Sequence, residues 1–396
     1  MIKRIDSINI TGKKVLIRAD FNVPIEDSNI LSDFRLKAVL KTINFCLEKN
    51  AKIVLMSHLG RPNGAELKLS LSPVFEYLRI NFPFNKVFFS DDCISDKSIN
   101  KSNSINRGEI HLLENLRFHD EELLNCEDFA FKLSKHGDVY INEAFGTSHR
   151  MHSSNSAILK FFDNKGIGFL MDQELRYLKN INLENTDLAV LIGGAKISTK
   201  IGMIRHFIGK ANAIMIGGAM SFTFLKAQNY NIGKSLVENN MIDEANNILD
   251  IAKKTNTEIL LPIDIVCAKK MSNNVKSKCK TITEISNDDI GLDIGQETIK
   301  NFLNILINSR TLIWNGPLGV FEIDSFKIGT SLLAREIGRL TKSNSLISVI
   351  GGGDTASAVI DLSLENLFTH VSTGGGASLK LLSGMELELF KSWRKK

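Results

Sequence analysis

The chain alternates between short runs that are apolar at nearly every position and longer segments whose apolar residues recur every three to four positions. The runs are KVLIRADF, AKIVLMSH, EIHLLENLRF and GDVYINEAFG in the first half, then LAVLIGG, AIMIGGAM, EILLPID, TLIWNGP and LISVIGGG in the second. Strands with Val, Ile and Leu on both faces are strands covered on both faces, as in parallel sheets. Between LAVLIGG and AIMIGG the segment ISTKIGMIRHFIGKA has helical spacing, so the order reads strand, helix, strand. The predicted fold class is α/β, with doubly wound parallel sheets. At 396 residues the chain has room for about two or three domains of ~150 residues.

Ligands of such sheets sit beyond the carboxyl ends of the strands, and these ends differ between the halves. In the first half they carry cations: Arg18, His58 and Arg61, Arg117, and His149 with Arg150. In the second they carry glycines: Gly193-Gly194, Gly217-Gly218, Gly316, Gly351 to Gly353, and Gly374 to Gly376. The intervening MHSSNSAILKFFDNKGIGFLMDQELRYLKN is polar at first and amphipathic from about Phe169, which predicts a connecting helix. The domain boundary is placed there, with residues 1–165 and 166–379 as the two bodies.

Composition narrows the classes. Hydrophobic residues at 43% and charged residues at 23% exclude a disordered, collagenous or disulfide-stapled chain. The five cysteines form no CxxC and have no histidine at zinc-ligand spacing, so they read as reduced thiols. A net charge of +5 allows attraction to small anions without demanding nucleic acid. The start MIKRIDSINITGKK lacks the apolar stretch of a signal peptide and no run reaches spanning length, so the cytoplasm is the expected compartment. The clusters KKMSNNVKSKCK and WRKK read as a solvated loop and a surface terminus.

Guanidinium forks suit carboxylate and phosphate, so arginines recurring at strand ends point to a small polyanion. Individually each could pair locally, as Arg117 with Glu114 or Asp120. Glycine loops between strand and helix let backbone approach phosphate at a helix N-terminus, although tight turns use the same residues. Lys196 and Lys200 in GGAKISTK share one face if that segment opens a helix, where they could hold one phosphate chain or simply be exposed. Asp354 in GGGDTA suits magnesium or an N-cap, and Glu322 suits ribose hydroxyls or solvent. NIGKSL has Gln228 where a P-loop needs glycine. GGGDTA fits G-x-G-x-x-A, but the next strand ends in glycines rather than an acid, which places a nicotinamide-dependent dehydrogenase second. A non-catalytic nucleic-acid-binding protein, resting only on net charge, comes third.

RADFNVP, SHLGRP, LLENLRFH, AFGTSHR, GGAKISTKI, GKSLVE, WNGPLGVFE, GGGDTA and STGGGAS occur in the order found in phosphoglycerate kinases, and the chain resembles that family over nearly its whole length. The resemblance implies two Rossmann-like domains joined by a helix and hinge, with the tail 380–396 packing back on the first. It implies a glycolytic phosphotransferase with a carboxyl acceptor, moving a phosphoryl group from 1,3-bisphosphoglycerate to MgADP by in-line transfer after hinge closure. Asp20, Phe21, Asn22, Arg35, His58, Leu59, Gly60, Arg61, Arg117 and Arg150 would hold the phosphoglycerate. Of these, Arg35 comes from the resemblance alone; in SDFRLKAVLK it reads as a helix-surface charge. Gly194, Lys196, Lys200, Gly218, Asn315, Pro317, Glu322 and Gly352 to Thr355 would hold the nucleotide, Asp354 its magnesium. Arg35, Lys196, Lys200, Gly353 and Gly375 would surround the transferring group. The implied partners are small molecules, with no nucleic acid and no membrane, and the implied state is a monomer. Departures are Glu143 for the usual Asp, Gln296 for Pro, and LKLLSGMELELF without the usual LPG.

Overall fold

The structure, a computed structural model, describes residues 2–179 and 187–394. It divides into two compact units, Met1–Arg176 with Glu386–Lys396, and Tyr177–Met385. The division thus falls later than residue 165. The physical reason is that Lys165–Ile167 is a strand of the first sheet, paired with Val139–Asn142. The helix Phe169–Leu178 then starts against that sheet, its first amides bonded to Glu143.

The first unit is built on six parallel strands: β1 Lys14–Arg18, β2 Lys52–Met56, β3 Val87–Ser90, β4 Ile110–Leu113, β5 Val139–Asn142 and β6 Lys165–Ile167, in the order β3-β4-β2-β1-β5-β6. Residues 110–113 and 139–142 are buried at every position, as unbroken apolar runs require. Helices cover the sheet. In Phe34–Glu48 the residues Leu36, Val39, Ile43 and Cys46 are buried at three- to four-residue spacing, and Pro73 sits at the start of Ser72–Asn81, where its missing N–H costs nothing. The short helix Glu388–Arg394 belongs to this unit, its Leu389 amide bonded to Ser148 O at 3.0 Å and Leu387 and Leu389 fully buried. Residues 380–385 of the expected tail belong to the second unit, and 395–396 lie outside the described residues.

The second unit has a parallel sheet of β7 Leu188–Ile192, β8 Ala213–Ile216, β9 Glu258–Leu260, β13 Thr311–Asn315, β14 Ile347–Ile350 and β15 His370–Val371, in the order β9-β8-β7-β13-β14-β15. A smaller antiparallel sheet, β10 Asp264–Ala268, β11 Lys278–Thr281 and β12 Ile290–Ile294, packs beside it. Period and composition did not reveal this sheet. EILLPID holds the end of one sheet and the start of the other, and KKMSNNVKSKCK, read as loop, runs into β11. In both units the strand order reverses beside the first strand, β1 and β7, which opens a crevice at the carboxyl ends.

Candidate active site

In the first unit the loops after β1, β2 and β4 are tied to one another by side chains. Asn115 accepts from the Leu59 amide at 3.1 Å and from the Arg117 amide at 3.0 Å, and donates to Leu59 O at 2.8 Å and Leu69 O at 2.9 Å. Asn22 Oδ1 accepts from the Gly60 amide at 2.8 Å, and the Phe21 amide donates to Ser57 Oγ at 2.8 Å. Gly60 has φ +63° and its Cβ would stand 2.7 Å from Leu69 Cδ2, so only glycine makes this turn. The loops holding Asp20, Phe21, Asn22, His58, Leu59, Gly60 and Arg117 are therefore one rigid assembly.

Arg35 joins it from the first turn of Phe34–Glu48. Its Nη1 donates to Asn22 O at 2.5 Å and lies 3.9 Å from Asp20 Oδ1. Arg117 is buried. Its Nη1 donates to Gly60 O at 2.5 Å, while Nε and Nη2 have no partner. Glu114 does not pair with it, since that carboxylate accepts from Ser70 Oγ and the Leu71 and Asn115 amides. Burial, then Arg18 and Arg150, push the Arg117 guanidinium down to about 10. A buried, half-satisfied guanidinium repelled by two others wants an anion. Arg61 is exposed and has no ion pair among the described residues, and the half-buried Arg150 donates through Nε to His149 Nε2 at 3.1 Å.

Two of the expected cations do not act as such. Arg18 is fully buried, 3.9 Å from the buried Glu122. His58 is buried against Arg18, and burial together with the Arg18 charge pushes its pKa well below the ordinary imidazole value, so it is neutral.

In the second unit a cavity of about 220 Å³ opens beyond β7 and β13. Gly194, Gly218, Pro317, Glu322 and Asp354 line it. The amides of Gly194 and Gly218 are not free for a ligand, because they donate to Pro317 O at 2.9 Å and Leu318 O at 3.0 Å. Glycine is needed here because the loops cross: a Cβ on Gly193 would stand 2.1 Å from Pro317 O. Free amides come instead from the first turns of the helices Gly353–Asp361 and Gly375–Leu382, which lack in-helix acceptors. The two turns meet, for a Cβ on Gly375 would stand 3.3 Å from Gly353 N. Ser378 Oγ, accepting from the Gly352 amide at 3.2 Å, links them.

Lys200 is half-buried and donates to Asn315 Oδ1, whose amide nitrogen donates to Gly351 O at 2.7 Å. Burial lowers its pKa and the Asp354 charge raises it. Lys196 is exposed and extended, with a 3₁₀ turn at Ile197–Thr199 before the helix Ile201–Phe207. The two lysines therefore do not share a helix face. Thr355 is fully buried, its hydroxyl accepting from the Gly316 amide at 2.5 Å, so its side chain braces the loop.

The model of the family described as phosphoglycerate kinase matches residues 5–385. A phosphoglycerate kinase of Prochlorococcus marinus strain MIT 9515 is 42% identical over 389 residues, covering 98% of this chain and 96% of its own, and one of Borrelia turicatae is 43% identical with 98% and 97% covered. The chain belongs to the phosphoglycerate kinase family. Among solved structures, the phosphoglycerate kinase of Coxiella burnetii superposes with a TM-score of 0.86 at 32% identity, covering 99% of this chain and 98% of its own. That of Pyrococcus horikoshii OT3 gives 0.85 at 27% identity, with 100% and 98% covered. The enzyme is a glycolytic phosphotransferase that exchanges a phosphoryl group between 1,3-bisphosphoglycerate and MgADP, binding a nucleotide and a phosphoglycerate.

Phosphoglycerate kinases use magnesium with the nucleotide, and the residues present fit that ion. Asp354 is an exposed carboxylate at the cavity rim near Lys200, and no cluster of three His, Cys, Asp or Glu exists among the described residues. One carboxylate suits an ion that arrives on phosphate oxygens and keeps its water. The rest of the cavity wall was not legible in the sequence. Phe222, Ile265, Gly291, Leu292 and Ile294 give it an apolar side, supplied largely by the antiparallel sheet. The signal available was GLDIG, in which Gly291 admits Phe222, whose Cζ would lie 2.1 Å from a Cβ there. Among the described residues no helix is long and apolar enough to cross a membrane.

Proposed function

We propose that the first unit holds the phosphoglycerate and the second holds the adenine nucleotide. The observation that carries this division is Arg117, buried with two unsatisfied guanidinium nitrogens in the crevice of the first sheet. With Arg35, Arg61 and Arg150 it would neutralise phosphate and carboxylate, while Asp20, Asn22 and His58 fix orientation through hydrogen bonds. The domain roles follow the compact units, Met1–Arg176 with the C-terminal helix and Tyr177–Met385.

In the second unit the apolar wall with Phe222 and Leu292 suits a base, Glu322 the ribose hydroxyls, and Lys200, Asn315 and the Gly352–Thr355 turn the phosphates. Bound at Asp354, magnesium supplies positive charge that reduces repulsion between the phosphates and the incoming oxygen. A β-phosphate oxygen of ADP attacks the C1 phosphoryl group, the bond to the acyl oxygen breaks, and 3-phosphoglycerate leaves as a carboxylate. No general base is needed because both acceptor and leaving oxygens are ionised. Positioning and charge supply the rate, with Arg35, Lys196, Lys200 and the amides of Gly353 and Gly375 around the planar phosphoryl group. Exclusion of water from the bound acyl phosphate would keep it from hydrolysis. As a glycolytic kinase it is taken to work as a cytoplasmic monomer on small molecules, without nucleic acid, and sedimentation with and without substrates tests the monomer.

The test is a two-substrate kinetic study of Arg35→Ala. Turnover falls far more than nucleotide affinity if Arg35 acts at the transferring group; equal losses in both remove it from that role.

A further inference from the structure

Beneath the loop of Arg117 lies a charged side chain that the transfer does not touch. Arg18, the last residue of β1, is fully buried. Its Nε donates to Ser154 Oγ at 2.8 Å, Nη1 donates to Ala19 O, and Nη2 meets His58 Nδ1 at 3.3 Å. Glu122, 3.9 Å away, accepts from the Ser154 amide at 2.9 Å and hydroxyl at 2.6 Å, so that the pair is locked from both sides.

A guanidinium has donors only and stays protonated. The imidazole nitrogen it faces must therefore offer its lone pair. A neutral imidazole has one donor and one acceptor nitrogen, so the proton of His58 sits on Nε2. The cations facing the ring agree. Arg18 from β1, Arg117 from the loop after β4 and Arg35 from the helix Phe34–Glu48 all disfavour an imidazolium, and the neighbouring His152 is itself held neutral, its pKa pushed by burial first of all to about 3. Of the nearby carboxylates, Asp20 has Oδ1 3.9 Å from Nδ1, beyond hydrogen-bond reach, and Glu122 has Oε1 3.9 Å from Arg18 Nη2.

We infer that Arg18 is a positioning residue of the phosphoglycerate site, fixing His58 as the Nε2–H tautomer so that the ring offers the substrate a neutral N–H donor. The inference rests on the loop after β2 holding phosphoglycerate. Its chemical sense lies in division of labour. Arg35, Arg61, Arg117 and Arg150 already supply charge, and a further cation would raise the repulsion that the empty site must bear. A neutral donor of fixed direction orients a substrate oxygen without that cost, and its strength does not vary with pH near neutrality.

The test uses the full-length protein labelled with ¹⁵N in its histidine rings, first without ligand. Long-range ¹H–¹⁵N spectra between pH 6 and 8, with His58 assigned by its loss in His58→Gln, show Nε2 protonated, Nδ1 unprotonated and no titration. An Nδ1–H tautomer or an imidazolium in this window overturns the inference, and this result needs no altered Arg18. The second arm is Arg18→Met with Glu122→Gln, which removes both buried charges together. There His58 titrates, and the KM for 3-phosphoglycerate rises about tenfold at pH 8, one hydrogen bond's worth, and recovers towards pH 6 as the ring gains charge. The KM for MgATP stays within about twofold. An unchanged tautomer in the double variant contradicts the role of Arg18. The expected tautomer with a 3-phosphoglycerate KM indifferent to His58→Gln contradicts the placement of the substrate instead, leaving the Arg18–His58 bond standing without a positioning role.

Discussion

Arg117 spends one nitrogen on the carbonyl of Gly60, at 2.5 Å, and keeps Nε and Nη2 buried with no partner. Gly60 O thus aims the guanidinium, and the cost of its empty positions is borne until an anion arrives. Replacing it should separate binding from stability. Arg117→Met is expected to raise the KM for 3-phosphoglycerate about a hundredfold, as loss of charge-assisted bonds of roughly 1.5–3 kcal/mol implies. The Tm of the free protein is expected to hold or rise, because an uncompensated buried charge is gone. Added 3-phosphoglycerate should raise the Tm of the parent protein and not that of the variant.

Glycines of the second unit should fall into two groups. A Cβ at Gly353 meets nothing within 4 Å, so Gly353→Ala is expected to fold with an unchanged Tm while losing turnover, because the methyl would intrude at the proposed place of the phosphoryl group. A Cβ at Gly316, with φ +102°, would stand 2.1 Å from Gly193 O, so Gly316→Ala is expected to unfold at markedly lower temperature. Parallel melting and kinetic measurements on the two variants check this.

Lys200 is placed by Asn315, which is itself held by Gly351 O. Lys200→Met is expected to lower kcat by about 10²–10³, the range for removing one preorganised donor to transition-state charge. Asn315→Ala should lower kcat less, by freeing the lysine rather than removing it. Steady-state kinetics at saturating substrates give both numbers, and equal losses would count against the positioning role of Asn315.

Acid stability follows from buried histidines. His136 Nε2 donates to Cys93 O at 3.0 Å, so its Nδ1 accepts from Ser102 Oγ at 2.6 Å. Ser102 in turn accepts from His111 Nδ1 at 2.8 Å, and His111 Nε2 accepts from Ser90 Oγ at 2.7 Å. The chain works only with both rings neutral, and burial first of all pushes His111 to about 3 and His136 to about 4. A depressed folded pKa gives stability that is complete above the unfolded value of ~6.5 and is lost as pH falls towards the folded value, by up to ~1.4 kcal/mol per unit and group. Burial of Glu143 and Asp293 raises each to about 7, which has the opposite sign, stabilising below the unfolded carboxyl value and fading as pH rises through 7. His58, His152 and His206 add to the first group and the buried Glu122 to the second, so five histidines outweigh three carboxyls. Urea midpoints are expected to fall from pH 6.5 to pH 5, and less steeply in His111→Gln.

The strand-end rule picks out from the sequence the candidate loops that the structure brings together, because parallel strands carry distant segments such as SHLGRP and LLENLRF to one edge. What each residue does there depended on partners far along the chain. Arg18 and Arg117 both follow strand runs, yet Glu122 and Ser154 draw one into the core while the other keeps free donors. Arg35 looks like any helix-surface charge, since its approach to Asn22 O depends on how helix and loop meet. Gly194 and Gly218 read as amides for phosphate, whereas their amides bind Pro317 and Leu318; the crossing needs the small size of Gly218, where a Cβ would stand 2.6 Å from Gly194 N, and Gly194 is needed for its φ of +112°. The apolar wall at Phe222 and Leu292 hung on an antiparallel sheet whose short strands have no distinct period.

The most direct check of the division between the units is paired kinetics of phosphoglycerate-dependent ATP consumption in Arg117→Met and Lys200→Met, varying each substrate in turn. The expected result is a large rise in the 3-phosphoglycerate KM with a near-normal MgATP KM for the first, and a large fall in kcat with a near-normal 3-phosphoglycerate KM for the second. An Arg117→Met enzyme with unaltered 3-phosphoglycerate KM and weakened MgATP binding would contradict it.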